Sequence, residues 1–373
     1  MKKTGIFIAL FLIIMFSNAL EQHLLKFYVG TFTSEGAEGI YLCGFDENTG
    51  DISLLNTFKG IDNPSFLKVS PNNKYLYVAT RPGNAIEPSG GFVIAYKINE
   101  DGSLKFLNKQ VSNGLEPCHV DVSADGKLVA TATYGGGTTS LYPVNEDGSI
   151  QPASSVIINQ GSGPDKSRQD KPHAHSIKFS PFGNQVFSAD LGTDQLNIYH
   201  LENNKLVQYG QEFMKLDPGS GPRHFDFYPG EKVIYVISEL KSTITSFVPE
   251  GDEWTKLQTV STLPKDFKGE SYCADIHISP DGRFLYGSNR GHNSIAVFSI
   301  DDSRKLTNIG FVSVEGNWPR NFALTPNGNF MMVANQKSGN ITVFKINKKS
   351  GMPEFTGKEI KLPSPVCIEF LNP

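Results

Sequence analysis

The sequence lacks several features that would indicate a function at once. Its 373 residues contain no run of like charge and carry a formal net charge of −4, so a basic footprint for nucleic acid or an anionic membrane is excluded. Neither a Gly-x-Ser-x-Gly elbow nor a phosphate-binding P-loop occurs. Any catalysis should therefore proceed through activated water or direct proton transfer rather than through a covalent serine.

Cysteine is scarce as well. The four cysteines are far apart and lack the close spacing of a disulfide framework or a zinc site: Cys43, Cys118, Cys273 and Cys367. Dispersed buried thiols are one interpretation, and pairing in an oxidising compartment is the other. Glycine (36), proline (22) and phenylalanine (26) are plentiful, which is typical of many short strands joined by tight turns.

The first nineteen residues differ from the rest. Lys2 and Lys3 precede an apolar run from Ile6 to Phe16, and small residues follow up to Ala19. The run is too short to span a bilayer, so residues 1–19 are predicted to be a cleaved signal peptide rather than an anchor. We expect an exported, periplasmic protein whose mature part, residues 20–373, has no membrane contact.

The remaining chain repeats itself. Each repeat contains a strand of alternating pattern, a turn such as Ser-Pro-Asp-Gly, a second strand rich in Tyr, Val and Ala, a third strand, and a weaker polar fourth strand. The period is about 45–55 residues. Six complete segments begin at Pro64, Pro117, Ala174, Pro222, Cys273 and Pro319. Four antiparallel strands per period predict the blade of a β-propeller.

A seventh blade is divided between the two ends of the chain. Phe27–Thr31, Ile40–Phe45 and Ile52–Phe58 fit its second, third and fourth strands, and Pro365–Leu371 fits a first strand without a hairpin partner. Pairing of these segments would close the ring and leave no free edge. We therefore predict one all-β domain, a seven-bladed β-propeller of four antiparallel strands per blade, closed by the C-terminal strand.

The start of strand one and the end of strand two lie at the same edge of an antiparallel blade. Every blade should therefore place two residues at one mouth of the ring. The strand-one positions are Ser65, Cys118, His175, Arg223, Ala274, Arg320 and Val366. The strand-two positions are Phe32, Arg81, Tyr134, Leu191, Glu239, Arg290 and Gln336. One His, one Glu and four Arg converge there, which predicts a site for an anionic or carbonyl substrate with a candidate base beside it.

Each candidate also has a structural interpretation. His175 could be a rim histidine, Arg223 and Arg320 could pair with neighbouring blades, and Arg81 could simply be solvated. Glu239 could serve only to orient an arginine. A His-x-Asp pattern recurs in register at His119–Asp121 and His224–Asp226 and indicates a hydrogen-bond pair that stabilises the blades, although both histidines lie near the mouth.

The stretch Arg168 to Pro181, RQDKPHAHSIKFSP, breaks the repeat most clearly. His173 and His175 could form a metal pair because alternate residues of a strand share a face. However, no third ligand falls at the same level, and Arg223 nearby would repel a cation. We predict neither a metal nor a cofactor.

Several segments resemble the propeller-type 6-phosphogluconolactonase family, which also includes fungal carboxymuconate-lactonizing enzymes. They are RQDKPHAHS, GPRHFDFYP, the ISEL that contains Glu239, SPDGRFLYGSNRGHNSIAVF and YVGTFTSEGAEGIYL. The resemblance covers residues 26–371 and implies a seven-bladed ring with its active site in the mouth. It also implies that the catalytic His, the two Arg and the Glu are His175, Arg223, Arg290 and Glu239, positions that the register argument reaches independently.

The prediction is therefore an exported lactone hydrolase that acts on a small-molecule lactone, without nucleic-acid partners and favoured to be a monomer. His173, Arg320, Arg81 and His224 are predicted as further substrate contacts. A muconate-type cycloisomerase, which needs no water, and a non-catalytic propeller that binds a ligand or a protein remain alternatives. The export signal departs from the cytosolic members of the family, which act on a pentose-phosphate intermediate.

Overall fold

Each sequence repeat forms one antiparallel sheet, because a tight turn joins two strands whose apolar faces both need cover. A computed structural model describes residues 24–83 and 90–371. Its strands form seven sheets, and the innermost strands contact one another in a closed cycle. The predicted seven-bladed β-propeller is confirmed. No helix among the described residues is long and apolar enough to cross a membrane.

The first blades follow the chain in order. Blade 1 contains β1 (Leu24–Thr31), β2 (Gly39–Asp46) and β3 (Ile52–Lys59), with a 3₁₀ turn at Thr33–Glu35. Blade 2 contains β4 (Pro64–Val69), β5 (Tyr75–Thr80), β6 (Phe92–Ile98) and β7 (Leu104–Val111). Blade 3 contains β8 (Pro117–Val122), β9 (Leu128–Thr133), β10 (Thr138–Pro143) and β11 (Ser155–Ile158).

Blade 4 contains β12 (Ala174–Phe179), β13 (Gln185–Asp190), β14 (Gln195–Glu202), β15 (Lys205–Val207) and β16 (Phe213–Lys215). Blade 5 contains β17 (Pro222–Phe227), β18 (Ile234–Ser238), β19 (Thr243–Glu250) and β20 (Glu253–Ser261). Blade 6 contains β21 (Tyr272–Ile278), β22 (Phe284–Arg290), β23 (Ser294–Ile300) and β24 (Leu306–Ser313). Blade 7 contains β25 (Pro319–Leu324), β26 (Phe330–Asn335), β27 (Asn340–Ile346) and β28 (Pro353–Lys361).

The last strand, β29 (Pro365–Phe370), completes blade 1. It pairs antiparallel with β1, with Phe27 opposite Phe370 and their ring centroids 5.2 Å apart. The two ends of the chain therefore lie in one sheet, and every innermost strand has a neighbour on both sides. Closure by the C-terminal strand is as predicted.

Blade 4 departs from the regular pattern. Its fourth position is divided between β15 and β16, which both pair with β14. Gly210 lies in the segment between them with a φ of +66°, a left-handed conformation that turns the chain out of the strand. The sequence repeat did not indicate this division.

The hydrophobic core lies between blades rather than in a single centre. Seven apolar clusters fill the spaces between neighbouring sheets, one at each interface. All four cysteines are buried and unpaired, as the first of the two interpretations expected. Burial raises the pKa of the Cys118 thiol to about 11, so this thiol is protonated at neutral pH.

Side chains of the innermost strands accept hydrogen bonds from the backbone of the next blade. Asp121 accepts from the Phe179 N–H at 2.9 Å, and Asp226 accepts from the Ile278 N–H at 3.0 Å. His119 Nδ1 similarly lies 3.4 Å from the nitrogen of Ile177. The recurring His-x-Asp pattern thus stabilises contacts between blades.

A β-bulge interrupts the pairing of strands one and two at the mouth end of every blade. A bulged residue is left out of the ladder, and its side chain is re-aimed. The bulges fall at the seven strand-one positions named from the sequence: Ser65, Cys118, His175, Arg223, Ala274, Arg320 and Val366. In blade 6 the bulge also includes Asp275.

Candidate active site

A cavity of about 560 Å³ opens at this mouth of the ring. Its wall is polar and is formed by residues from blades 1 to 7 and by the loop that precedes β12. The lining residues are Phe32, Ser34, Glu35, Asn63, Arg81, Pro82, Gly83, Glu116, Tyr134, Arg168, His175, Glu239, Arg290, Arg320 and Gln336. Eight of these residues are mouth positions named from the sequence, so the structure brings most of the predicted set together.

Glu239 lies in the wall of the cavity, and three arginines bind its carboxylate. Arg168 donates to Oε1 at 2.6 Å, while Arg290 at 2.6 Å and Arg223 at 3.1 Å share Oε2. Burial alone would raise the pKa of Glu239, but the charges of Arg290, Arg223 and Arg168 outweigh it and hold that pKa well below its ordinary value. Glu239 is therefore a fixed anion that orients guanidinium groups.

Arg168 is the functional candidate that the sequence analysis missed. Its loop is anchored by Gln169, whose buried amide donates to Leu191 O at 2.8 Å and to Asp194 Oδ1 at 2.7 Å. Arg168 itself also lies 3.3 Å from the hydroxyl of Tyr134. The signal that could have found it is the break in the repeat just before β12, from which only the histidines were selected.

Arg223 lies behind the wall rather than in it. Its guanidinium binds Glu239, the carbonyl oxygen of Ala274 and, at 3.2 Å, Nε2 of His224. The side chain is 2% exposed, and burial followed by the charge of Arg290 lowers its pKa to about 10. Through Nε and Nη1, this predicted catalytic residue thus binds protein groups, and it contacts Glu239 from behind the wall.

His175 reaches the cavity from the bulge of blade 4. Its Nδ1 lies 4.0 Å from Cys118 Sγ, and no hydrogen-bond partner for its Nε2 occurs within residues 24–83 and 90–371. Burial, followed by the positive charge of Arg223 and the neighbouring His224, lowers the pKa of His175 well below its ordinary value. The imidazole is therefore neutral at neutral pH, with one nitrogen available.

His173 and His224 do not line the cavity. His173 donates from Nδ1 to the Tyr134 carbonyl at 2.8 Å, and its ring stacks on that of Tyr134 at 4.5 Å. His224 donates from Nδ1 to Asp275 at 2.7 Å and lies behind Arg223. Their predicted substrate contacts remain predictions. Each instead packs against a lining residue, His173 against Tyr134 and His224 against the ring of His175, with centroids 5.5 Å apart. Across the described part of the chain, no three His, Cys, Asp or Glu side chains converge to hold a metal ion.

The guanidinium carbons of Arg81 and Arg320 both lie over the ring of Phe32, at 5.6 Å and 5.1 Å from its centroid. Arg81 donates to Glu116 at 2.7 Å. Arg320, in contrast, has no hydrogen bond or ion pair with any described residue. Burial and then the charges of Arg223, Arg290 and Arg81 lower its pKa well below the ordinary value.

The charges of the wall do not balance. Four arginines face three glutamates in the lining, and Arg223 adds a fifth guanidinium beneath it. Positive charge without a partner in a partly enclosed cavity attracts anions and stabilises negative charge that develops on a bound carbonyl oxygen. The fold and the cavity define a β-propeller whose mouth carries an excess of positive charge and contains a neutral imidazole.

The chain belongs to the lactonase family of seven-bladed β-propellers. The family described as "Lactonase, 7-bladed beta-propeller" matches residues 26–370. The predicted family and enzyme class are thereby confirmed.

Two relatives are named 6-phosphogluconolactonase. The protein from Bacillus subtilis is 39% identical over 349 residues, which are 92% of this chain and 98% of that protein. The protein from Formosa agariphila is 37% identical over 353 residues, which are 91% of this chain and 96% of that protein. The solved structure of a periplasmic gluconolactonase from Pseudomonas aeruginosa matches with a TM-score of 0.87 and 30% identity, covering 94% of this chain and 99% of that chain.

Proposed function

We propose that the mouth of the propeller hydrolyses a sugar lactone, with His175 as the general base. The observation that carries this proposal is a neutral imidazole with an unpartnered Nε2 in a wall rich in arginine. The atom that acts as general base must be unprotonated before the reaction and must face the cavity where the substrate binds. His175 meets both requirements. The two relatives named 6-phosphogluconolactonase support the same class of reaction.

The reaction begins when His175 Nε2 takes a proton from a water molecule that attacks the lactone carbonyl carbon. The carbonyl oxygen becomes an oxyanion, which the guanidinium of Arg290 stabilises from the wall. Collapse of this intermediate breaks the bond to the ring oxygen, and the imidazolium of His175 returns the proton to the departing alkoxide. The product carboxylic acid then ionises, so each turnover releases one proton to solvent.

Glu239 positions groups in this scheme and transfers no proton. Its carboxylate is held by Arg168, Arg223 and Arg290, and its low pKa makes it a poor acid at neutral pH. This arrangement favours orientation of arginines, and not proton donation to the leaving alkoxide, as the role of Glu239. Arg223 contributes through Glu239 rather than by contact with the substrate.

The compartment limits the substrate. The signal-like residues 1–19 lie outside the described residues, and we infer export from their sequence and from the periplasmic gluconolactonase of Pseudomonas aeruginosa. Phosphorylated sugars are scarce outside the cytoplasm. We therefore propose that hydrolysis of 6-phosphogluconolactone is retained, and that the natural substrate is another acidic or sugar lactone. Fractionation should recover a mature chain beginning at Leu20, and an uncleaved cytoplasmic chain would contradict export.

The reaction is tested with the purified mature protein. Acid release from glucono-δ-lactone and 6-phosphogluconolactone is titrated at constant pH, and the spontaneous rate is subtracted. We expect catalysed, stoichiometric proton release. A change in muconate absorbance without net acid would instead indicate the cycloisomerase. Absence of both reactions would contradict an enzymatic role and favour a binding propeller.

A further inference from the structure

The bulge of blade 6 is wider than the other bulges. In every other blade one residue of strand one is left out of the pairing with strand two, whereas β21 leaves out both Ala274 and Asp275. These two residues meet consecutive residues of blade 5. The carbonyl oxygen of Ala274 accepts a hydrogen bond from Arg223, and the carboxylate of Asp275 accepts one from His224. The wider bulge therefore supplies two acceptors to a pair that lies behind the cavity wall.

The sequence of blade 6 is inverted at the same point. Blades 3 and 5 carry His-x-Asp near the start of strand one, at His119–Asp121 and His224–Asp226. Blade 6 carries the opposite order, Asp-x-His, at Asp275–His277. The carboxylate of Asp275 is thus in register with the imidazole of His224 in the neighbouring blade. Because an ionised carboxylate has acceptors and no donor, it selects the imidazole nitrogen that carries a proton.

Hydrogen bonds from three blades hold the Asp275 carboxylate. Its Oδ1 accepts from Nδ1 of His224 at 2.7 Å and from the Ile276 N–H at 3.0 Å. Its Oδ2 accepts from donors of blades 6 and 7, namely His277 Nε2 at 3.1 Å, Asn321 Nδ2 at 2.5 Å and the Phe322 N–H at 3.3 Å. Burial alone would raise the pKa of Asp275, but His277 and His224 outweigh it and hold that pKa well below its ordinary value. Asp275 is therefore a fixed anion.

The tautomer of His224 follows from this contact. Its proton must be on Nδ1, and because burial and then the charge of Arg223 lower its pKa to about 4, Nε2 is bare at neutral pH. The bare Nε2 accepts from Nη1 of Arg223 at 3.2 Å, and the carbonyl oxygen of Ala274 accepts from the same Nη1. Both hydrogens of Nη1 are thereby used. The guanidinium is held in the orientation in which its Nε donates to Glu239 at 3.1 Å.

We infer that Asp275 is a positioning residue of the proposed reaction, which fixes the tautomer of His224. Through that tautomer it fixes Arg223 against Oε2 of Glu239, the oxygen that also orients Arg290. The inference rests on the proposed function, in which Arg290 stabilises the oxyanion. Asp275 is 3% exposed and lies outside the lining of the cavity, so it acts on the reaction only through these neighbours.

Nitrogen NMR of protein labelled with ¹⁵N-histidine tests the tautomer, because the protonated and the bare nitrogen of a neutral imidazole have well-separated signals. We expect a protonated Nδ1 and a bare Nε2 for His224 in the wild-type protein, with the signals assigned by their loss in His224→Gln. In Asp275→Asn the amide oxygen should take the place of Oδ2, which meets more donors than Oδ1. The amide N–H then faces Nδ1, and the proton of His224 should move to Nε2.

Steady-state kinetics test the consequence for the site. We expect Asp275→Asn to lower kcat about 10- to 100-fold and to leave KM within about twofold, because Arg290 acts on charge that develops only in the transition state. The control Asp226→Asn removes another carboxylate that joins blades 5 and 6, through the Ile278 N–H. It should lose stability and keep kcat, with both variants assayed below their melting temperatures. An unchanged kcat in Asp275→Asn, or an equal loss in Asp226→Asn, would overturn the positioning role.

A second pair of variants does not depend on the folding of Asp275→Asn. His224→Gln offers an amide oxygen to Arg223 and an amide N–H to Asp275, whereas His224→Leu offers neither. We expect kcat of His224→Gln to exceed that of His224→Leu about tenfold. Equal kcat in the two variants would overturn the inference.

The NMR measurement separates this inference from the proposed function. A wild-type His224 protonated on Nε2, or an unchanged tautomer in Asp275→Asn, would overturn the inference whether or not a lactone is hydrolysed. A wild-type protein that hydrolyses no lactone but carries the Nδ1–H tautomer would contradict the proposed function and leave the effect of Asp275 on His224 in place.

Discussion

Arg168 and Glu239 lie 71 positions apart in the sequence and are joined by a hydrogen bond of 2.6 Å across blades 4 and 5. The loop before β12 thus supplies a charge to a carboxylate that two other arginines already bind. Three cations on one buried carboxylate leave little freedom to any of them. The wall of the cavity is therefore pre-organised before a substrate enters.

Loss of the Arg168 side chain should affect activity more than stability. Its side chain is 33% exposed, so Arg168→Gln removes a partly solvated partner while Arg223 and Arg290 still neutralise Glu239. We expect kcat/KM to fall about tenfold to a hundredfold, with a melting temperature within a few degrees of wild type. Steady-state kinetics and thermal denaturation measure the two effects. Full activity in Arg168→Gln would contradict a role for Arg168 in the reaction.

Loss of the Glu239 charge should lower both the activity and the stability of the protein. In Glu239→Gln the buried guanidiniums of Arg223 and Arg290 lose their common anion, which should lower the free energy of unfolding by about 3–5 kcal/mol. kcat/KM should fall by at least about a hundredfold because the arginines are no longer oriented. Denaturant titration tests the first effect. The control Glu231→Gln removes an exposed partner of Arg304 and should change stability little.

The rate of lactone hydrolysis should persist in mild acid. A general base must be unprotonated to accept a proton. The ordinary pKa of imidazole is about 6.5, and because the pKa of His175 is lowered, its imidazole stays neutral as the pH falls below that value. The acid limb of kcat/KM should therefore lie below pH 6.5. The groups that face His175 are Cys118, Tyr134, Arg223, His224, Arg290 and Arg320. Removing a cation in Arg320→Gln should raise the pKa of His175 and shift the limb to higher pH.

This pH profile needs a substrate that is stable enough to assay in acid, with the spontaneous rate subtracted at each pH. Arg283→Gln, far from the imidazole in sequence and exposed, should leave the limb where it is. An acid limb at or above pH 6.5 in the wild-type protein would contradict a depressed pKa for the catalytic base.

Closure of the ring should be essential for folding. Deletion of residues 364–373 removes β29 and leaves the edge of β1 unpaired, together with the hydrogen bond from the Val69 N–H to Glu369. We expect aggregation or loss of the cooperative thermal transition, followed by circular dichroism. Removal of residues 372–373 alone, which retains the strand, is the control. A soluble truncated protein with a cooperative transition would argue against closure as a requirement.

Much of the fold could be predicted because the repeat carries its own register. Turn residues mark each hairpin, so the ends of strands one and two could be counted, and the lone segment from Pro365 could be assigned to the first blade. The same counting placed His175, Arg290 and Arg320 at one mouth. The seven bulges explain why this counting identified the correct strand-one positions. In every blade a bulge turns one residue or two out of the ladder at the same place.

Other features depend on contacts that the repeat does not encode. Arg168 lies in an insertion outside the repeated strands, so no register assigns its partner. Arg223 occupies the same bulge position as His175, but its side chain extends behind the wall because Glu239 and Ala274 of the neighbouring strands accept its hydrogen bonds. The alternation that suggested a shared role for His173 and His175 fails because the bulge at His175 interrupts it.

The central claim, that His175 is the base in lactone hydrolysis, is tested most directly by the rate of acid release at constant pH. It compares the wild-type protein with His175→Ala, His173→Ala and, as a matched control, His200→Ala on β14, the third strand of blade 4. We expect His175→Ala to lose about 10²- to 10⁴-fold in kcat/KM while keeping its melting temperature, His173→Ala to be milder, and His200→Ala to match wild type. Full activity in His175→Ala, or an inactive His173→Ala beside an active His175→Ala, would contradict this assignment.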